Sequence, residues 1–294
     1  MADTYGTLID YIQGQLLGFV TDPPSYGTLQ NVLGPTDTQV TLSLSGDTIP
    51  QGIIEVDDEL IFLQDYDEST GIANVPAWGR GQQGSTASAH QAGSRVTVNP
   101  KYPRRRVAQV VNQVIAGMCP PMFGVQTGQF QAEYLTWEYP LPAGTRALYK
   151  AEYRPFNAAV YDWRPLAGAV VKRDTGSPVL HVPTREGFLQ AEVRWTVMAD
   201  PTPLVNDSDL FTATGLPESS ADCVSLGAIP RLVTTTDLAR QQLNSVEPSE
   251  RSLIVPAGSG ANAAKFYLQM YQMRLEAEAN KLRQQYPLKM MRNF

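Results

Sequence analysis

Apolar positions along the chain fall into two periods that alternate in blocks. Leu8, Ile9, Ile12, Leu16, Leu17 and Phe19 recur at helical spacing behind a cap at Asp3 or Thr4, and "TDPPSYG" at 21–27 ends the run. From residue 38 the period becomes two. Val40, Leu42 and Leu44 alternate with Thr41 and Ser43, followed by the runs "GIIEV" and "ELIFL", the turn "DYDESTG" at 65–71 and "RVTV" at 95–98. This block predicts a small β-barrel or sandwich over 38–100. Helical spacing returns at Val107, Val110, Val111, Val114, Ile115 and Met118, and "CPPMFG" stops it.

A second two-residue period spans about 125–200. Ala147, Tyr149, Ala151 and Tyr153 alternate with Leu148, Lys150, Glu152 and Arg154; Leu189, Ala191, Val193, Trp195 and Val197 alternate with Gln190, Glu192, Arg194 and Thr196. Several such strands with one wet face predict an antiparallel sandwich. Beyond "DPTPLVNDSD" the chain reads as helix again, with Pro230 expected to kink or split it, and a last helix begins near Asn262. The expected fold class is therefore α+β. A helical domain drawn from 1–37, 101–124 and 201–286 carries a small β-barrel insertion at 38–100 and a β-sandwich insertion at 125–200. An extended tail at 287–294 completes it.

The last helix carries two stripes. Ala264, Leu268, Tyr271, Leu275, Ala279, Leu282 and Tyr286 share one face, while Phe266, Met270, Met273 and Ala277 lie about 200° away at ~100° per residue. A surface helix needs one buried stripe, so the second implies burial between two bodies: two layers of one core, or a neighbouring subunit. Pro287 then stops the helix, and the residues after it can reach roughly 20 to 25 Å at ~3.3 Å each. Leu288, Met290, Met291 and Phe294 with Lys289 and Arg292 have the chemistry of a segment that orders on a partner, or that folds back on its own domain.

Composition narrows the function classes. The 294 residues are 43% hydrophobic and 18% charged, a globular balance, and 22 prolines with 23 glycines cut the chain into the short runs of turn-rich β structure. A net charge of -6 removes any global basic field for gripping duplex DNA, yet does not exclude a channel through which DNA slides. Cys119 and Cys223 are too few for a disulfide framework and read as small buried hydrophobes. The N-terminus lacks a signal-peptide pattern, and no run approaches the ~20 apolar residues of a membrane span, which predicts assembly in a reducing cytoplasm and no membrane partner.

Catalytic chemistry does not emerge. His90 and His181 are the only histidines, and neither sits in a nucleophile motif. Asp57, Asp58 and Glu59, and Asp207 and Asp209, lack full calcium-loop spacing and read as turn or cap residues. No enzyme, cofactor or metal site is expected. Arg104, Arg105 and Arg106 open a helix where the macrodipole favours acids, so they read as contacts for an acidic partner or phosphate backbone, or as a solvated charge run.

A long last helix, "ANAAKFYLQMYQMRLEAEANKLRQQYP", running into an extended tail resembles the head-to-tail adaptor (connector) proteins of tailed bacteriophages. "RGQQGSTASAHQAGSRV" at 80–96 is similar to an R-G-x-x-G-T-x-A-x-x-H-x-x-G-x-x-V pattern of phage tail and neck proteins, with Ser85 before Thr86 shifting it. The resemblance implies a structural virion protein of the neck, forming a homo-oligomeric ring, usually a 12-mer, between portal protein and tail. DNA would pass through without sequence-specific binding, and a downstream neck or tail-completion protein would follow. It also implies portal binding by Leu288, Lys289, Met290, Met291, Arg292 and Phe294, and subunit or partner contact through Phe266, Met270, Met273 and Arg104–Arg106. The alternative is a tail-tip or baseplate host-binding protein that stacks sugars on Trp137, Tyr139, Tyr153, Tyr161 and Trp163.

Overall fold

A computed structural model of the chain describes residues 3–20, 24–45, 51–133, 136–156, 158–159, 162–173, 176–183, 190–244 and 259–287. In chain order the elements are α1 (Tyr5–Leu17), β1 (Ser25–Leu29), β2 (Gln39–Ser45), β3 (Gly52–Val56), β4 (Glu59–Leu63), β5 (Asp65–Asp67), β6 (Ile72–Asn74) and β7 (Arg95–Val98). Then come α2 (Arg104–Gly117), β8 (Gly124–Gln131), β9 (Glu138–Pro140), β10 (Thr145–Arg154), β11 (Arg164–Pro165), β12 (Val170–Lys172), β13 (Val179–His181) and β14 (Glu192–Ala199). α3 (Ala221–Asn244) and α4 (Ser259–Gln285) close the described chain.

Two units build the molecule: Met1–Leu8 with Asn112–Gly227 and Leu268–Phe294, and Ile9–Val111 with Ala228–Tyr267. The second unit holds a curled seven-stranded antiparallel sheet in the order β4-β3-β7-β1-β2-β6-β5. Its inner face gathers Leu29, Val40, Leu42, Ile54, Val56, Ile61, Leu63, Val96 and Val98 into one core. Along the β3–β4 hairpin the period of two sends Ile54, Val56, Ile61 and Leu63 inward, and puts Ile53, Glu55, Leu60 and Phe62 on the other face.

The first unit holds two antiparallel sheets, β11-β10-β14-β8 and β12-β13-β9, whose Tyr139, Leu180, Val193 and Val197 meet in a shared core. Simple alternation along β10 does not survive. Register shifts fall between Thr145 and Ala147 and between Leu148 and Lys150, so Leu148 joins Ala151 and Tyr153 on the core. Tyr149 instead meets Tyr286, ring centroids 5.1 Å apart and edge to face.

The expectation of a helix-dominated domain with β insertions is overturned. The architecture is mainly β, fourteen strands in three sheets, with four α-helices among the described residues. The helices make no body of their own, each being divided between the two units. Sequence periodicity overstates helix here because a thirteen-residue stripe is legible, whereas β5, β6, β9, β12 and β13 have three residues each and show no period. β1 illustrates the point. It sits between β7 and β2, yet only Leu29 of its "SYGTL" is buried, and the stretch reads as a helix stop.

Local signals at the helices hold better. Thr4 Oγ1 accepts Thr7 N at 3.2 Å while Thr7 Oγ1 accepts Thr4 N at 2.9 Å, a reciprocal cap at the start of α1. The five periodic residues of α2, Val107, Val110, Val111, Val114 and Ile115, are buried, and so is Met118 just past its end. The expected split at Pro230 does not occur, and α3 runs on through it as one helix.

Candidate assembly surface

The buried stripe of α4 explains why the helix sits where it does. Ala264, Tyr271, Ala279 and Leu282 are buried, although Leu268 of the same stripe is exposed. Tyr271 packs at Gly227 of α3. A Cβ on Gly227 would lie 2.8 Å from Val114 Cγ1 and 3.0 Å from Tyr271 Cε2, so only glycine allows this approach. Glu278, also buried, accepts Ser219 Oγ and Lys281 Nζ at 2.6 Å each, and Arg274 reaches it at 3.3 Å and Asp222 at 2.7 Å. Burial works to raise the Glu278 carboxyl, but Lys281, Ser219 and Arg274 overcome it and hold the group below the usual carboxylate range.

The second stripe points the other way. Phe266 is 60%, Met270 39% and Met273 68% exposed, and Ala277 is exposed beside them. Three large apolar side chains in a row on one helix face form a patch that water covers only at a cost. The tail residues Leu288–Phe294 lie outside the described residues.

The arginine run divides. Arg104 binds Asp10 by an ion pair and stands 3.6 Å from Asp58, while Arg105 is half-buried and Arg106 exposed. The acid that the α2 dipole calls for comes from β3: the Glu55 carboxylate accepts the Arg104 backbone N–H. Burial pushes the Glu55 carboxyl up to about 7, the Arg104 amide opposing and Asp58 adding to the shift.

The 79–90 segment closes the β4 edge. Gly79 O accepts Phe62 N at 2.7 Å and Ser85 Oγ accepts Leu60 N at 3.0 Å, so the loop supplies what a neighbouring strand would. Arg80 grips Glu59 with Nε and Nη2 at 2.7 and 2.8 Å; Gly81 N and Ser88 N add bonds at 3.1 and 3.0 Å. His90 places Nε2 2.8 Å from Glu59 and Nδ1 2.7 Å from Asp57. Burial acts to raise the Glu59 carboxyl, but the bonds from Arg80, His90, Ser88 and Gly81 prevail and bring it down to about 2. Gly81, at φ 64, turns the backbone so that its N–H faces the carboxylate. The arginine, glycine and histidine of the pattern thus act as a lock on the hairpin.

Asp209 and part of the aromatic set make internal contacts. Asp209 accepts Asn206 N and Val205 N at 2.8 and 2.9 Å in a turn. Tyr139 stacks on Phe130 in the core, and Arg194 and Arg154 lie over Trp163 at 4.2 and 5.4 Å. Trp137 is exposed and stacks on His181; Tyr161 lies outside the described residues. Sequence reading missed Trp78, which stacks on Phe62 at 4.9 Å and is 63% exposed. A tryptophan in the turn "PAWG" was the available signal. No protein-family model matches the chain, and no curated protein is significantly similar to it.

Proposed function

We propose that the chain is a structural virion protein of the phage neck, a head-to-tail adaptor that assembles as a ring between portal and tail and lets DNA pass. One observation carries the reading: α4 keeps a buried stripe for its own chain and exposes Phe266, Met270 and Met273 on the opposite face. A helix apolar on two sides, with one side open, is fit for contact between subunits. On this proposal the Arg80–Glu59–His90 ion pairs brace the hairpin against its loop for a place in the neck. In this reading the residues after Pro287 dock on the portal, and the protein acts by holding neighbours in register rather than by chemistry.

Antibody–gold labelling of intact tailed particles tests the location. Label at the neck is expected. Label confined to the far tip of the tail would sink the adaptor reading in favour of host binding.

A further inference from the structure

The outer face of the β11-β10-β14-β8 sheet carries a polar ladder. Gln131 of β8 lies beside Glu192 of β14, which lies beside Arg154 of β10; on the next outward rung Gln129 lies beside Arg194, and Arg194 beside Glu152. The rung between them, Phe130, Val193 and Tyr153, takes the other face and joins the core. β8 is an edge strand whose sequence, "GVQTGQFQ", holds no charge. Edge strands are commonly guarded by lysine or other charges, so exposed glutamine amides in their place call for a separate reason.

At this end of the sheet, among the described residues, the face opens into a cleft of about 640 Å³, a size usual for small-ligand sites. Gln129, Gln131, Gln190, Arg154 and Glu192 supply its polar lining. Pro155 and Phe156, from the segment after β10, supply apolar surface, and the Phe156 ring is exposed. The Gln190 N–H donates to Ala132 O at 3.0 Å, which ties that residue to the end of β8. Arg154 is held by its ion pair to Glu192 and by the Trp163 ring 5.4 Å away.

Charge and donor pattern select the ligand. Every cation of the four strands meets a carboxylate: Arg146 meets Asp200, Lys150 and Arg194 meet Glu152, Arg154 meets Glu192, and Arg164 meets Asp162. Glu133, exposed just beyond β8, adds a further negative charge. Such a face does not concentrate anions. Each amide offers both a donor and an acceptor, the guanidinium offers donors and the carboxylate acceptors, which is the set that adjacent hydroxyl groups satisfy. An exposed aromatic ring adds a flat apolar surface for the C–H face of a sugar.

We propose that this cleft binds a neutral saccharide, with the three glutamines and the Arg154–Glu192 pair bonding its hydroxyls and Phe156 lying against its ring. This activity goes beyond the neck assignment and holds wherever in the particle the chain sits. None of Trp137, Tyr139, Tyr153 and Trp163 lines the cleft, and Trp163 contributes only by positioning Arg154.

A glycan array probed with the labelled full chain tests it, carrying neutral hexose and N-acetylhexosamine oligosaccharides beside sialylated and sulfated ones. Titration calorimetry then gives the Kd of the best neutral glycan. Phe156→Ala and Gln131→Ala are at exposed positions. With melting curves confirming the fold, each is expected to weaken binding by about tenfold or more. Trp137→Ala, exposed beside β9 and outside the cleft, should leave it unchanged. Binding to no neutral glycan, binding to anionic glycans only, or affinity that survives both cleft substitutions overturns the proposal. So does loss of binding in Trp137→Ala with both cleft variants intact.

Discussion

Replacing Glu59 by Gln removes the charge at the centre of the hairpin lock while keeping its shape. The side chain is 0% exposed and faces Arg80, His90 and two backbone amides, so solvent screens little of the interaction. Its carboxyl titrates at about 2 instead of 4.5. At ~1.36 kcal/mol per pH unit, that difference is worth about 3 kcal/mol of stability at neutral pH. The sign follows from the direction: a depressed carboxyl stabilises the fold fully above pH 4.5, and the contribution is lost as pH falls toward 2. Urea unfolding of wild type and Glu59→Gln, read by pulsed hydrogen exchange of peptides covering β3 and β4, measures the gap directly. It should be about 3 kcal/mol at pH 7 and close nearly to zero at pH 2. Parallel loss of stability by both proteins between pH 4.5 and 2 would refute the assignment of that energy to Glu59.

Other perturbations act in different directions. Glu55, raised by burial to about 7, has the opposite dependence: the wild type is favoured below pH 4.5 and loses stability as pH rises through 7, by about 3 kcal/mol. Glu55→Gln should flatten that slope, and an unchanged slope in denaturant melts at pH 5, 6 and 8 would contradict it. Gly227→Ala places a methyl group 2.8 Å from Val114 Cγ1 and 3.0 Å from Tyr271 Cε2, and should cost about 1–3 kcal/mol in thermal unfolding. A neutral result would show that α4 does not pack tightly there.

How much the sequence discloses depends on the distance over which each feature is built. The α2 stripe is local, and its five periodic residues are all buried. α4 shows both stripes at helical spacing, and the structure separates the one it buries from the one it exposes. Strands of three residues carry no period, and β1 owes its place to pairing with β7 and β2 rather than to its own composition. The bulges of β10 break the alternation that the sequence shows, bringing Leu148 onto the core face of Ala151 and Tyr153.

The polar groups follow the same rule. Arg104 at a helix start looks unfavourable until Glu55, far away in sequence, is found at that helix end. Asp57, Glu59, Arg80 and His90 read as separate loop residues in sequence. They become one network only because the β3–β4 hairpin and the 79–90 loop fold together.

Electron microscopy of the purified full chain is the most direct test of the central claim, that this protein works by assembling into a ring. The account predicts closed rings with a central opening wide enough for duplex DNA. Particles that remain single copies at every concentration, with or without portal protein, would contradict it.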